Sequence, residues 1–404
     1  MKKTVKYFNE FLILLFVFAV IIFLSQIGMG RIGTLVLIPI GLWYFLLGRK
    51  GRAKYIFNIK GVKWYLIFIL LTSISILYSI DPLVALLTQL KLIIVFAFSI
   101  SVFSYCLESF RNVKVLYFAN LIVLFYLFIY TYYNGIDIGS AERINEDVFN
   151  ANTYGYFIFI GMHSLFSLYI MTKRKEIKFF FLVLIVVASI FSFALVLASA
   201  SRGALLVTFG LIIGNVFIIL NLNKKSVLRK FVFLFITVSL VFYSVQYGYD
   251  NYFENSLVEQ RFNQLEQMET PREFHLQKAI EIGFENPIFG VGSGNYAIIP
   301  KKIEQGSFTH NSFAEIFANN GFPGLIVLLG FLSCIFLKLK KMLSFKNEKL
   351  KVSLYQIYLF LILFFFHGFL YVFYLDTIFL HFLFVIYAHL IIMERSIHQN
   401  NNIK

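Results

Sequence analysis

The chain has 404 residues, of which 59% are hydrophobic and only 14% charged, with a mean hydropathy of +0.78 and a formal net charge of +15. That balance excludes a soluble globule, because it leaves too little polar surface to cover one. It points instead to a polytopic, all-α integral membrane protein, read as one membrane domain over residues 1–404.

The N-terminus, Met1 to Glu10, is basic and leads into an apolar run with no small-residue cleavage site behind it. It therefore reads as an uncleaved first span and not as a signal peptide. Apolar runs of the length a bilayer demands, roughly 17–25 residues, fall at 10–27, 32–48, 62–79, 83–106, 114–133, 152–171, 179–200, 203–221, 231–248, 321–338, 353–373 and 377–393. This gives about twelve transmembrane helices, with a large, partly helical loop, 249–309, between spans nine and ten. With the N-terminus placed inside, the inside loops hold the great majority of the 36 Lys and Arg, and both termini are expected to be cytoplasmic. The net charge is then an orientation signal, and no nucleic-acid partner is expected. Cys106 and Cys334 both lie in apolar segments, so no disulfide framework is indicated.

The polar residues that break this pattern collect on the outside. The first outer segment, 133–150, has Arg143 as its sole cation, either a binding residue or part of a solvated loop. The turn Ala198 to Ala204 is built of small residues, which permit close helix approach, around Arg202. Arg202 reads as an anion-binding residue or as a snorkelling interfacial arginine. In the long loop, 257–268 is irregularly amphipathic and carries Arg261. Thr270, Pro271 and Glu273 then give a helix start with an N-cap, a proline at the first position and a glutamate at the third, predicting a helix over 271–284. A structureless loop of this length is improbable unless functional, so two cap helices are expected over the bundle.

The loop ends in a polar stretch, Glu285 to Gly324. Gly290, Gly292 and Gly294 alternate, predicting a tight turn with positive φ or close backbone approach. Ser312 with Glu315 fits a capping box, predicting a helix from about Phe313; Asn320-Gly321 fits its C-cap, and Pro323 prevents simple continuation. His310 then sits just before a helix N-terminus. The partial positive charge there favours neutral imidazole, the form a general base needs; the alternative is a histidine in a surface loop. The last outer turn holds Asp376, flanked by His367 and His381. Asp376 is either functional or a helix cap, and the two histidines are either functional or packed and hydrogen-bonded. No phosphate-binding glycine loop, dinucleotide fingerprint or metal-ligand spacing occurs, so no cofactor and no metal are expected. No internal repeat is visible, which weighs against a transporter.

Arginines with one neutral histidine suit a particular task. The guanidinium fork binds phosphate oxygens and neutralises charge growing on a diphosphate leaving group. Histidine accepts a proton from an incoming hydroxyl. Spans admit a lipid tail, so a lipid-diphosphate donor fits both the cations and the location.

Ser201-Arg202-Gly203, Arg261-Phe262, Asn286-Pro287 leading into Gly290 to Tyr296, and His310-Asn311 followed by Gly321 to Gly324 together resemble the O-antigen ligase and Wzy-type polymerase superfamily. The core resemblance covers 185–340. It implies a GT-C-like membrane glycosyltransferase in the bacterial plasma (inner) membrane, with an extracytoplasmic site. The donor would be an undecaprenyl-diphosphate-linked oligosaccharide and the acceptor a glycan or lipid-linked glycan. Transfer would be inverting and metal-independent. Arg202, Arg261 and His310 would be catalytic, with Arg143, Asp376, Gly292 and Asn311 as substrate-binding candidates. Polymerisation of O-antigen or capsular repeat units is the leading expectation. Ligation of finished glycan to lipid A–core, or a flippase or other transporter, are the alternatives; the absence of an appended soluble domain disfavours a protein-glycosylating branch. A chain-length regulator protein is a further partner consistent with a polymerase.

The charge asymmetry predicts that a phosphatase reporter fused after Asn400 is inactive in intact cells while a fluorescent reporter there is bright; an active phosphatase fusion would overturn the span count.

Overall fold

The computed structural model describes residues 7, 9–17, 19, 37–47, 51–133, 151–198, 202–222, 271–299, 309–345, 348–370 and 377–401. Among the described residues the ordered elements are helices: α1 (Leu37–Leu47), α2 (Arg52–Phe57), α3 (Lys60–Ile74), α4 (Pro82–Cys106), α5 (Phe110–Tyr133), α6 (Ala151–Met171), α7 (Lys175–Ala198), α8 (Arg202–Leu222), α9 (Pro271–Glu285), α10 (Ser312–Leu343), α11 (Glu348–Gly368) and α12 (Thr377–Asn401). Residues 9–17 are also helical. Among the described residues eight helices are long and apolar enough to cross a membrane, and two more, Leu37–Leu47 and Gly155–Met171, are apolar but shorter. The eight and the two shorter helices coincide in position with ten of the twelve expected spans. The expected first span is described only in part, and the span at 231–248 lies outside the described residues. The protein is an all-α membrane protein.

The chain divides into two compact units. One comprises Met1–Arg31, Arg111–Met268 and Phe345–His367. In it α6 packs on both α7 and α8. Gly155 of α6 faces the Ala204 side chain of α8 so closely that an added Cβ would overlap it. At Ala204 a small residue thus permits close helix approach; residues 199–201 of the turn lie outside the described residues. The same unit seats His163 against the Phe360 ring of α11, with centroids 4.4 Å apart, and Gln356 donates to the His163 carbonyl at 3.2 Å.

The other unit comprises Ile32–Phe110, Glu269–Ser344 and Gly368–Lys404, and it carries the polar stretch. Its core closes around Tyr65 of α3. Phe96 of α4, Phe331 of α10 and Phe384 of α12 stand 5.3, 5.2 and 6.1 Å from that ring, so one aromatic residue ties four helices. Aromatic pairs at such separations add to simple area burial. α4 begins at Pro82 because Asp81 caps it, accepting from the Leu83 and Val84 amides at 2.9 and 3.2 Å.

α10 is two helices in one. Gly321 has φ 64 and ψ −166, which ends the first part as the C-cap prediction required, and the chain resumes helically through the long apolar part to Leu343. Pro323 explains why the break is placed here. It has no amide hydrogen to give the Asn319 carbonyl four residues back, so that carbonyl lacks its usual helical donor. The Gly321 conformation is open to glycine and strained for an L-residue. An added Cβ would also lie 2.6 Å from the Pro287 carbonyl oxygen.

Gly51 offers a control, since its φ is 73 but nothing lies within 4 Å of an added Cβ. Gly51→Ala should cost only the left-handed penalty of about 1–2 kcal/mol. Gly321→Ala should cost clearly more, lowering the apparent melting midpoint of the detergent-purified protein further than Gly51→Ala does. Equal shifts would show that the Pro287 contact is soft.

Candidate functional site

The polar stretch folds against the broken helix. After α9, the chain turns at Asn286 and passes through Gly290, Gly292 and Gly294, all with positive φ as the spacing predicts, into a short 3-10 turn, Asn295–Ile298. The Val291 and Gly292 amides donate to the Ala318 and Asn319 carbonyls, each at 2.9 Å. Those are carbonyls that the break at Gly321 leaves without helical partners. In return the Phe322 amide, left over on the other side of the break, donates to the Pro287 carbonyl at 2.8 Å. Gly292 is required by contact as well, because an added Cβ would lie 2.7 Å from Ser79 Cα.

Every residue from Asn311 to Gly321 is buried, including Glu315, Asn319 and Asn320. Buried polar groups need partners, and the turn supplies several of them. The Tyr296 amide donates to Asn319 Oδ1 at 2.8 Å, and Asn320 Nδ2 donates to Ser293 Oγ at 2.8 Å. Ser293 is bonded onward to Ser75 just after α3, its amide donating to Ser75 Oγ at 3.0 Å. Asn295 forms a reciprocal pair with Asp81: its Oδ1 accepts the Asp81 amide at 2.6 Å and its Nδ2 donates to the Asp81 carbonyl at 3.3 Å. The Tyr296 hydroxyl donates to the His275 carbonyl of α9 at 2.7 Å. Burial, and then the charge of Glu315, push the Tyr296 hydroxyl well above its ordinary pKa, so it stays a neutral donor. The turn thus joins α3, α4, α9 and α10.

His310 lies at the other end of the buried segment. Its φ is 51, and it is the sole non-glycine residue with positive φ among the described residues. For a residue with a Cβ this conformation costs on the order of 1–3 kcal/mol and is characteristically retained at functional sites. Asn311 follows in extended conformation and caps α10, its Oδ1 accepting from the Phe313 and Ala314 amides at 3.0 Å each. The expected capping box is corrected accordingly: Asn311, and not Ser312, is the N-cap, and Ser312 is the first helical residue. Glu315 reaches past the N-cap to the residue two positions before it, to the Thr309 amide at 3.4 Å and the Thr309 hydroxyl at 3.1 Å. The physical reason is the left-handed residue, which turns the chain so that Asn311 takes the extended backbone of a cap.

His310 is half-buried between the buried Thr309 and Asn311. Two of the remaining candidates already have local work. The Asn311 side chain is committed to the cap, and the Gly292 amide to Asn319. The Phe313 and Ala314 amides are taken up by the cap. Arg202 is the first residue of α8, where the sequence put it. Arg143, Arg261, Asp376 and the expected helix at 257–268 lie outside the described residues. The predicted helix over 271–284 is α9. His367 and His381 are buried and packed on aromatic rings, on Tyr156 at 4.2 Å and Phe98 at 5.3 Å respectively. Among the described residues no group of three or more His, Cys, Asp or Glu is placed to hold a metal ion.

Sequence reasoning missed the supporting residues Ser75, Asp81, Ser293, Asn295 and Asn319. One signal was present: a cluster of hydroxyl and amide residues at span ends that otherwise carry only apolar ones.

A helical membrane protein with a polar segment buried at the end of a broken span is the class the fold and this site define. Residues 187–329 match the family model described as O-antigen ligase. No curated protein matches the chain. The family match supports membership of the O-antigen ligase and Wzy-type superfamily, and with it glycan transfer of the ligase or polymerase kind on lipid-linked glycan substrates in a membrane. The matched residues run from within α7 through His310 to the apolar part of α10.

The Asn295–Asp81 pair gives a direct test of the mount. Asn295→Ala leaves the half-buried Asp81 amide without this partner and should cost about 1 kcal/mol. Asn295→Asp should cost more, because it sets a buried carboxylate oxygen against the Asp81 and Ser293 carbonyls that Nδ2 now serves. Apparent melting midpoints should fall in the order wild type, Asn295→Ala, Asn295→Asp.

Proposed function

We propose that the protein polymerises glycan repeat units at the outer face of the bacterial plasma membrane, using an undecaprenyl-diphosphate-linked oligosaccharide as donor. The observation that carries this reading is the mount of His310. Within the segment that matches the family, one histidine is held in a strained backbone, half-exposed, at the start of a buried helix that Asn311 caps.

In this reading a hydroxyl of the acceptor sugar attacks the anomeric carbon of the donor from the face opposite the diphosphate. The new glycosidic C–O bond forms as the C–O bond to the diphosphate breaks, with inversion. His310 takes the hydroxyl proton as attack proceeds. The electron pair leaves on undecaprenyl diphosphate, whose growing charge Arg202 and Arg261 neutralise through bidentate hydrogen bonds. Arg143 and Asp376 assist substrate binding. The diphosphate ester is already activated, so the reaction proceeds without nucleotide and in the presence of a chelator. Both termini are cytoplasmic, which sets the 249–309 loop outside.

Reconstituted protein given the host's lipid-diphosphate repeat unit, with chelator and no nucleotide, should yield products of two or more repeats on one lipid. Transfer only after addition of lipid A–core would identify a ligase instead. His310→Ala should lower turnover by about 10²–10⁴-fold while the protein still inserts and folds. Arg202→Lys, which keeps the charge but loses the fork, should already weaken donor binding. Undiminished turnover in His310→Ala would remove the general-base assignment.

A further inference from the structure

We propose that Glu315 and Thr309 are positioning residues that hold His310 in its working backbone conformation; the inference rests on the reading of His310 as the proton acceptor. The Thr309 hydroxyl brackets His310. It accepts the Asn311 amide at 3.0 Å and lies 2.8 Å from the Asn311 carbonyl oxygen, so one side chain touches both backbone groups of the residue beyond the histidine. That closes a tight turn with His310 at its centre, where φ is 51.

The hydroxyl has one proton and two acceptors within reach, the Asn311 carbonyl and Oε2 of Glu315 at 3.1 Å. A carboxylate is the stronger acceptor. The same oxygen also takes the Thr309 amide at 3.4 Å. Two donors of one residue therefore converge on one oxygen of a side chain that is 2% exposed. Helix capping does not account for this glutamate. Asn311 already satisfies the Phe313 and Ala314 amides, and Glu315 stands one position past the capping-box site. These two bonds reach back across the start of the helix to the residue before the histidine. A left-handed non-glycine residue persists only where its surroundings over-determine it, and Thr309 with Glu315 supplies that determination. The clamp touches no reacting atom; it fixes the direction in which the imidazole leaves the backbone.

The test uses the full-length protein in liposomes with the host's undecaprenyl-diphosphate-linked repeat unit, every variant being corrected for its folded fraction. Thr309→Val removes the hydroxyl at constant shape, and Glu315→Met removes the acceptor at similar size. Each should lower turnover at saturating donor at least tenfold while the donor KM stays within about twofold. Thr309→Ser and Glu315→Gln, which keep a hydroxyl and one acceptor oxygen, should stay within about threefold of wild type. The double variant Thr309→Val with Glu315→Met should fall no further than the worse single variant, because both break one clamp. If Glu315→Met yields no folded protein, the Thr309 pair decides. Turnover above half of wild type in Thr309→Val, or an equal loss in Val and Ser variants, would overturn the clamp while leaving the catalytic reading intact, provided His310→Ala is inactive. An active His310→Ala would remove the reading beneath it.

Discussion

The exchange of backbone hydrogen bonds across Gly321 is the constraint on which the rest of the site depends. A helix that breaks inside an apolar environment leaves amides and carbonyls without partners, and in lipid each such group costs several kcal/mol. Here the break and the turn complete each other: Ala318 and Asn319 give carbonyls to Val291 and Gly292, and Pro287 receives the Phe322 amide. Neither piece is satisfied alone. Non-helical backbone in an apolar setting is tolerated where it is buried in protein, and the burial of Asn311 to Gly321 meets that condition.

From this exchange the mount of His310 follows. With its C-terminal end fixed by the turn, the short first part of α10 becomes a rigid strut, and its amide side chains are engaged by Tyr296 and Ser293. The left-handed residue at the other end is then held in place by groups that cannot move independently. Rigid backing of this kind is what a proton-accepting side chain needs, because misplacement by an ångström costs orders of magnitude in rate.

Much of this was legible in the sequence. The alternating glycines predict positive φ at 290, 292 and 294, Thr270 to Glu273 predicts α9, and Asn320-Gly321 with Pro323 predicts the break. These are local signals, set by residues that admit few conformations. The cap was misread because Asn311 and Ser312 are both good N-caps, and the choice between them is made by the φ of His310, which no propensity encodes. The partners of the turn were not legible for another reason. Ser75 and Asp81 contact Ser293 and Asn295 across sequence separations of 218 and 214 residues, and a single sequence gives no means of pairing a serine at one span end with a glycine turn so far away.

Those separations bear on how the protein is made. Ser75, Ser79 and the Asp81 backbone are synthesised and inserted with α3 and α4 long before their partners leave the ribosome. During that interval these groups lack the partners they have in the folded protein. The hub locks only when the segment through Phe322 has been delivered. Chains terminated before that point keep an unsatisfied polar seam between two early spans, a feature by which membrane quality control could sort unfinished copies from complete ones.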